Sequence, residues 1–114
     1  FRLMAVVNQY KFVGIDNNTS GSALTPFGSG NPLVSETYLI KSILVTSAGT
    51  PVVTILNNSI TAIKSKALTA NETTELLTQP LIVEGGKTFT VQSSTSDSFD
   101  IAISYLNIKK EVTT

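Results

Sequence analysis

One pair of aspartates and one pair of lysines have the types and spacing that chemistry requires. Asp97 and Asp100 stand three residues apart around a turn, where their oxygens could bind Ca²⁺. Lys64 and Lys66 stand two apart, and a Ser–Lys nucleophilic dyad needs such a lysine in a desolvated pocket. Both lysines fall on a polar strand face, and both aspartates at a hairpin end. We therefore expect solvated charges, with no metal site and no catalytic residue.

The residue types that are absent exclude most other chemistry. The 114-residue chain contains no His, Cys or Trp, which removes the usual general base, the thiolate nucleophile and Cys-based zinc sites. Eight basic residues balance eight acidic ones, so phosphate-driven nucleic-acid binding is not expected. No apolar run is long enough for a transmembrane helix. We predict a non-enzymatic protein without cofactors, with a Ser–Lys or carboxylate hydrolase as the alternative.

Phosphate and sugar sites also find little support in the sequence. The glycines of Gly28-Ser29-Gly30 and Gly85-Gly86 do not form a P-loop motif. Sugar-binding β-sandwiches stack rings on exposed Trp or Tyr, and Tyr10, Tyr38 and Tyr105 all have apolar neighbours within predicted strands. We expect these three tyrosines to pack in the core.

The elements that must position these residues are strands. Thr, Val and Ile occur in short alternating runs, and turn residues recur about every ten positions, as in an all-β sandwich. The alternation predicts a single antiparallel β-sandwich of seven or eight strands with little helix. The predicted strands are Tyr10–Ile15, Tyr38–Thr46, Val52–Leu56, Ile60–Leu68, Pro80–Val83, Lys87–Ser93 and Phe99–Ile108.

One predicted strand carries apolar residues on both faces. In strict alternation, Tyr38, Ile40 and Leu44 lie on one face of Tyr38–Thr46, and Leu39, Ile43 and Val45 on the other. One face of a sandwich strand covers the core, so we expect a partner subunit to bury the second apolar face. We predict an oligomer interface formed by Tyr38, Ile40, Ile43, Leu44 and Val45.

The remaining segments look irregular. Residues 1–9 are predicted as an N-terminal arm, whose first three residues resemble a vector-derived remnant before Met4. The sandwich spans 10–108, with a long loop at 16–35 that holds a short piece at Leu24–Phe27, and 109–114 form a C-terminal tail. A loop with one turn is expected at Thr69–Glu72, and hairpin turns at 84–86 and 94–98. Predicted partner contacts are Val6, Val7, Leu24, Phe27 and Leu33.

The second half of the chain resembles small virion proteins of tailed bacteriophages. The resemblance lies in a succession of β-rich stretches separated by turns. It is carried by 38–46, 48–50, 52–56, 68–76, 80–91 and 101–106. Capsid-decoration (cement) proteins and tail-accessory proteins show this succession, and their fold is a jelly-roll or a related β-sandwich.

The resemblance implies a function and a location. We expect a homotrimer on the surface of the phage particle, where it binds the major capsid protein or a tail component and stabilises the head. The alternative is a tail or fibre accessory protein, or a glycan-binding module for receptor recognition. No nucleic acid or membrane is expected as a partner.

Overall fold

A computed structural model describes residues 3–18, 24–28, 30–93 and 99–113. They form eight strands and contain no helix that could cross a bilayer. The predicted class, an all-β antiparallel sandwich of seven to eight strands, is confirmed. The strands are β1 (Leu3–Asn18), β2 (Glu36–Ser47), β3 (Val52–Asn57), β4 (Ile60–Ala67), β5 (Glu72–Glu75), β6 (Leu81–Val83), β7 (Phe89–Ser93) and β8 (Phe99–Thr113).

The strands form two sheets with the core between them. The larger sheet has the order β1-β8-β2, and β5 and β6 share the far edge of β2; the smaller sheet has the order β4-β3-β7. Inward-facing residues of both sheets make one buried cluster, because alternation sends every second side chain inward. Its fully buried members include Ile40, Ile43, Val53, Ile55 and Val91.

The two ends of the chain are strands and not an arm and a tail. β1 pairs with β8 in a ladder that runs from Leu3↔Thr113 to Ile15↔Ile101. The prediction that residues 1–9 and 109–114 lack regular structure is therefore wrong for 3–9 and for 109–113. These two long strands extend the molecule to 57 Å along one axis against 22 Å along the others.

A β-bulge in β2 explains why this strand reads as apolar on both faces. Opposite β8, Ile40 faces Tyr105 and Ser42 faces Ser104, so Lys41 is an extra residue without a partner of its own. The bulge shifts the alternation by one residue. The buried apolar residues before the bulge and those after it therefore all point into the core. The second apolar face, which was predicted to contact a partner subunit, is part of the core face.

Two turns predicted as hairpins connect different sheets. β6 pairs with β2 in the larger sheet, whereas β7 pairs with β3 in the smaller one. Residues 84–86 therefore carry the chain across the sandwich, and 94–98, outside the described residues, separate β7 from β8. The predicted loop around Thr69–Glu72 contains a turn and continues into β5, which was not predicted.

Candidate functional site

Four of the five residues predicted for the oligomer interface lie inside the protomer. Tyr38 is 6% exposed, and Ile40, Ile43 and Val45 are fully buried in the core. These four side chains are therefore not available to a partner, because the bulge at Lys41 turns both apolar sets inward. Leu44, on the opposite face, keeps 39% of its surface exposed.

The residues predicted as partner contacts have different environments. Leu24 forms an isolated β-bridge to β7, with its N–H donating to the Val91 carbonyl at 2.7 Å. Phe27 packs against the rings of Tyr38, Phe89 and Tyr105 and so belongs to the core. Leu33 is 52% exposed. Val6 and Val7 lie in β1, and their side chains are outside the described residues.

Two aromatic side chains of β1 are exposed, and one of them, Tyr10, was predicted to pack in the core. Tyr10 is 80% exposed and Phe12 is 67% exposed. In an alternating strand, positions 10 and 12 share one face, and Val13 and Ile15 share the other, which packs on the core. The sequence contained this signal, because β1 is the strand that is apolar on both faces.

The outer face of the larger sheet carries an apolar patch around these aromatics. Directly opposed residues of antiparallel strands share a face, and Leu106 of β8 stands between Tyr10 of β1 and Leu39 of β2. Two residues along β1, Phe12 stands opposite Ser104. The outer patch is defined by Tyr10, Phe12, Leu39, Leu44 and Leu106.

A shallow depression of about 490 Å³ adjoins Phe12 on this face. A Cβ at Gly14 would lie 3.2 Å from two atoms of the Phe12 ring, so the ring leans over the glycine. Ala102 stands opposite both Gly14 and Leu44. Because its side chain is small, it leaves the depression open at this point. Asp100 adds a carboxylate at the rim. The face can thus receive an apolar group beside a polar one.

β1 also presents a free backbone edge. It is the terminal strand of the larger sheet, it is 16 residues long, and among the described residues only β8 pairs with it. Side chains from Asn8 to Phe12 are exposed on both faces. An edge of this kind presents a row of N–H and C=O groups that can pair with another chain.

The other sheet edges are protected. β4 carries Lys64 and Lys66, its pairing with β3 is irregular in two places, and Ser65 has a positive φ of 52°. β5 has only four residues. β7 is covered in part by the bridge from Leu24. Charged residues, bulges and short strand length are the usual means of blocking edge pairing. Of the edge strands, β1 has the fewest of these features.

A buried carboxylate ties the loop before β2 to β8. Glu36 Oε2 accepts a hydrogen bond from Asn107 Nδ2 at 2.8 Å, and Oε1 accepts one from the Leu33 N–H at 3.1 Å. Burial alone would raise the pKa of Glu36, but these hydrogen bonds and the charges of Lys109 and Lys11 outweigh it and lower the pKa. Both oxygens of Glu36 are thus engaged in holding structure.

The pKa values of two neighbouring tyrosines move in the opposite direction. Burial and the negative charge of Glu36 raise the pKa of Tyr38 to about 12. The pKa of Tyr105 is raised for the same two reasons. Both phenols therefore stay neutral at physiological pH, and their rings pack against that of Phe27.

The residues singled out for chemistry are dispersed. Lys64 and Lys66 are exposed on β4, and Asp100 is exposed on β8, whereas Asp97 lies outside the described residues. Within the described part of the chain, no group of three or more acidic side chains is placed to hold a metal ion.

Glu75 is exposed, and its carboxylate also binds the backbone of β2. Its Oε2 accepts a hydrogen bond of 2.7 Å from the Ile43 N–H beside the bulge. The same oxygen accepts a longer one, 3.4 Å, from the Leu77 N–H. This carboxylate thus satisfies a backbone donor of β2 that β5 and β6 leave without a strand partner.

Comparison of the chain with protein-family models and with curated proteins finds no match. Its fold is similar to that of a chain in a solved structure described as "Bacillus endospore appendages form a novel family of disulfide-linked pili". The two align with a TM-score of 0.51 and 9% sequence identity, over 94% of this chain and 89% of the other. At this identity the similarity establishes a shared β fold.

Proposed function

We propose that the protein is a non-enzymatic structural subunit that assembles with copies of itself. The observation that carries this proposal is the 16-residue edge strand β1, whose outer backbone groups have no partner among the described residues. The outer patch lies on the same strand, with Tyr10 and Phe12 largely in solvent. An open sheet edge and an exposed apolar patch together favour association over the monomeric state.

The setting of this assembly is a further part of the proposal. The sequence resemblance favours a phage particle, with the protein as a homotrimer that decorates the major capsid protein or a tail component. The pilus protein of similar fold supports the coarser idea of a structural subunit and offers a filament as the alternative. These 114 residues include no cysteine, so they cannot supply disulfide links of the kind named for that pilus.

Light scattering and negative-stain electron microscopy of the purified chain test the proposal. We expect a concentration-dependent mass above that of the 12.1 kDa protomer, and either discrete oligomers or filaments on the grid. Co-sedimentation with phage heads that lack accessory proteins distinguishes the virion setting from a free filament. A stable monomer at tens of micromolar would contradict self-assembly in any setting.

Glycan binding is a second candidate, favoured by the exposure of Tyr10 and Phe12. Two aromatic rings on one sheet face offer stacking surface, and the depression beside Phe12 is lined in part by the polar side chains of Asp100 and Thr46. A glycan array tests it, with Tyr10→Ala expected to abolish binding and Lys64→Ala, on the other sheet, to preserve it. Absence of binding to any glycan, or equal binding by both variants, would count against this candidate.

A further inference from the structure

We propose that two copies of this chain pair antiparallel through the free edges of β1, about a two-fold axis perpendicular to the larger sheet. The inference rests on the proposed self-assembly, replaces the homotrimer with a two-fold dimer, and identifies the surface that the dimer uses. β1 is the longest strand and the terminal strand of its sheet, and β8 pairs with only one of its edges. A second copy of the same edge supplies complementary donors and acceptors along its full length.

The symmetry follows from the geometry of strands. Antiparallel pairing of two identical edges requires a two-fold axis normal to the sheet, since an in-plane axis along the strands would make them parallel. Such an axis leaves the inner and outer faces of the two copies on the same sides. Opposed residues must share a face, so one residue of β1 lies on the axis and faces its own copy. The two outer patches then join into one surface.

The charge on β1 restricts which residue lies on the axis. The regular ladder of β1 runs from Leu3 to Ile15 and is centred on Gln9, whereas the whole strand is centred between Tyr10 and Lys11. An axis at Lys11 would oppose two ammonium groups directly, which destabilises a strand pair. An axis at Tyr10 places Lys11 opposite Gln9 of the second copy. The axis therefore lies at Gln9 or Tyr10.

The two-fold pairing also explains the position of the exposed aromatics. With the axis at Tyr10 the two Tyr10 side chains face each other. With the axis at Gln9 each Tyr10 is one position from the axis and faces Asn8 of the second copy. In both registers the Tyr10 side chain, which is 80% exposed in the protomer, moves to the middle of a sheet of ten strands, five from each copy, where cross-strand contacts of aromatic side chains stabilise pairing.

Single-cysteine variants read the register directly, because the natural chain contains no cysteine. Directly opposed residues have Cα atoms about 4.5 to 5.5 Å apart, which fits a disulfide, whereas a residue only one position from the axis lies about 8 Å from its own copy, too far for a disulfide. We compare Gln9→Cys, Tyr10→Cys and Lys11→Cys under mild oxidation, with Lys64→Cys on β4 as the control for random collisions. We expect Gln9→Cys or Tyr10→Cys to form disulfide dimers at least tenfold faster than the other variants.

Hydrogen exchange of the unmodified protein provides a test that does not depend on any variant. Outward N–H groups of β1 are unprotected in a protomer and hydrogen-bonded in the pair, so alternate amides from Asn8 to Phe12 should gain at least tenfold protection with concentration. Oligomers without this protection and without the β1 cross-links would overturn the edge pairing but leave self-assembly standing. A trimer of that kind would support the capsid-decoration prediction. A monomer by light scattering, with no cross-link, would overturn both.

Discussion

Asn107 donates a hydrogen bond of 2.8 Å to a carboxylate oxygen of Glu36, and both residues are more than nine-tenths buried. The bond joins the start of β2 to the inner face of β8 at the level where Gln9 of β1 stands opposite Asn107. The second Glu36 oxygen accepts from the Leu33 N–H. These hydrogen bonds thus hold the loop before β2 against β8, the strand that pairs with β1.

This pair makes stability depend on pH at acid values. The pKa of Glu36 is lower in the folded protein than its ordinary value of 4.5. The unfolded chain therefore binds the proton more readily, and the stabilisation is complete above the unfolded pKa and is lost as pH falls through the folded pKa. We expect thermal unfolding temperatures to fall as pH decreases below about 4.5, with Glu36 contributing to the slope.

The variant Glu36→Gln separates this contribution from those of other carboxylates. The amide cannot accept from both Asn107 and Leu33 without presenting a donor to one of them, so we expect a loss of about 2 kcal/mol at pH 7. The difference from the wild type should shrink at low pH. Glu84→Gln, at an exposed position, is the control. An equal pH slope in the wild type and Glu36→Gln would contradict the assignment.

Strand faces could be predicted from the sequence where alternation is uninterrupted. In β8, Phe99, Ile101, Ile103 and Tyr105 alternate with smaller or polar residues, which places the four on one face, and all four are buried. In β2 the same rule failed after Ile40, because a bulge changes the face of every later residue and Lys41 carries no sequence mark of it. Whether a strand contains a bulge depends on its pairing with a strand that is distant in the sequence. The pattern of one strand alone therefore does not reveal a bulge.

The candidate surface was missed for a related reason. Tyr10 is predicted in the core because its neighbours in the strand are apolar, and no position on the outer face is predicted for Phe12. In β1 the inner face is already supplied by Val13 and Ile15, which pack on the core. The ladder with β8 extends to Leu3, and only the partner strand makes that extension visible. A strand in this region could be predicted from the sequence, but its length and its position at the edge of the larger sheet could not.

Deletion of Lys41 tests the bulge. Because Lys41 is the extra residue, its removal restores regular alternation with Tyr38, Ile40, Ile43 and Val45 all inward. We expect the deletion variant to fold with a loss of at most about 2 kcal/mol. Deletion of Leu39 is the matched control, since it turns one half of the strand outward and should prevent folding. Urea unfolding followed by circular dichroism compares them, and equal damage from both deletions would refute the bulge assignment.

Gly85→Ala tests the close approach of the chain crossing to the loop before β2. A Cβ at Gly85 would lie 2.6 Å from the carbonyl oxygens of Glu36 and Val34, and backbone atoms cannot yield as a flexible side chain would. We expect a loss of about 3 kcal/mol. Gly86→Ala is the control, because its Cβ meets only a Val34 methyl at 3.6 Å and its φ of +77° adds strain of about 1 kcal/mol. Thermal unfolding should rank the two variants in this order.

Phe27→Ala tests whether the long loop is part of the core or free to contact a partner. The Phe27 ring lies 4.8 Å from that of Tyr38 and 4.9 Å from that of Tyr105, with edge-to-face geometry in both contacts. Its removal leaves a cavity among three rings, so we expect a loss of about 3 kcal/mol in urea unfolding. Leu33→Ala, at a side chain 52% exposed, should cost less than about 1 kcal/mol. If Phe27→Ala unfolds like the wild type but binds phage particles or self-associates more weakly, the ring serves a partner and not the core.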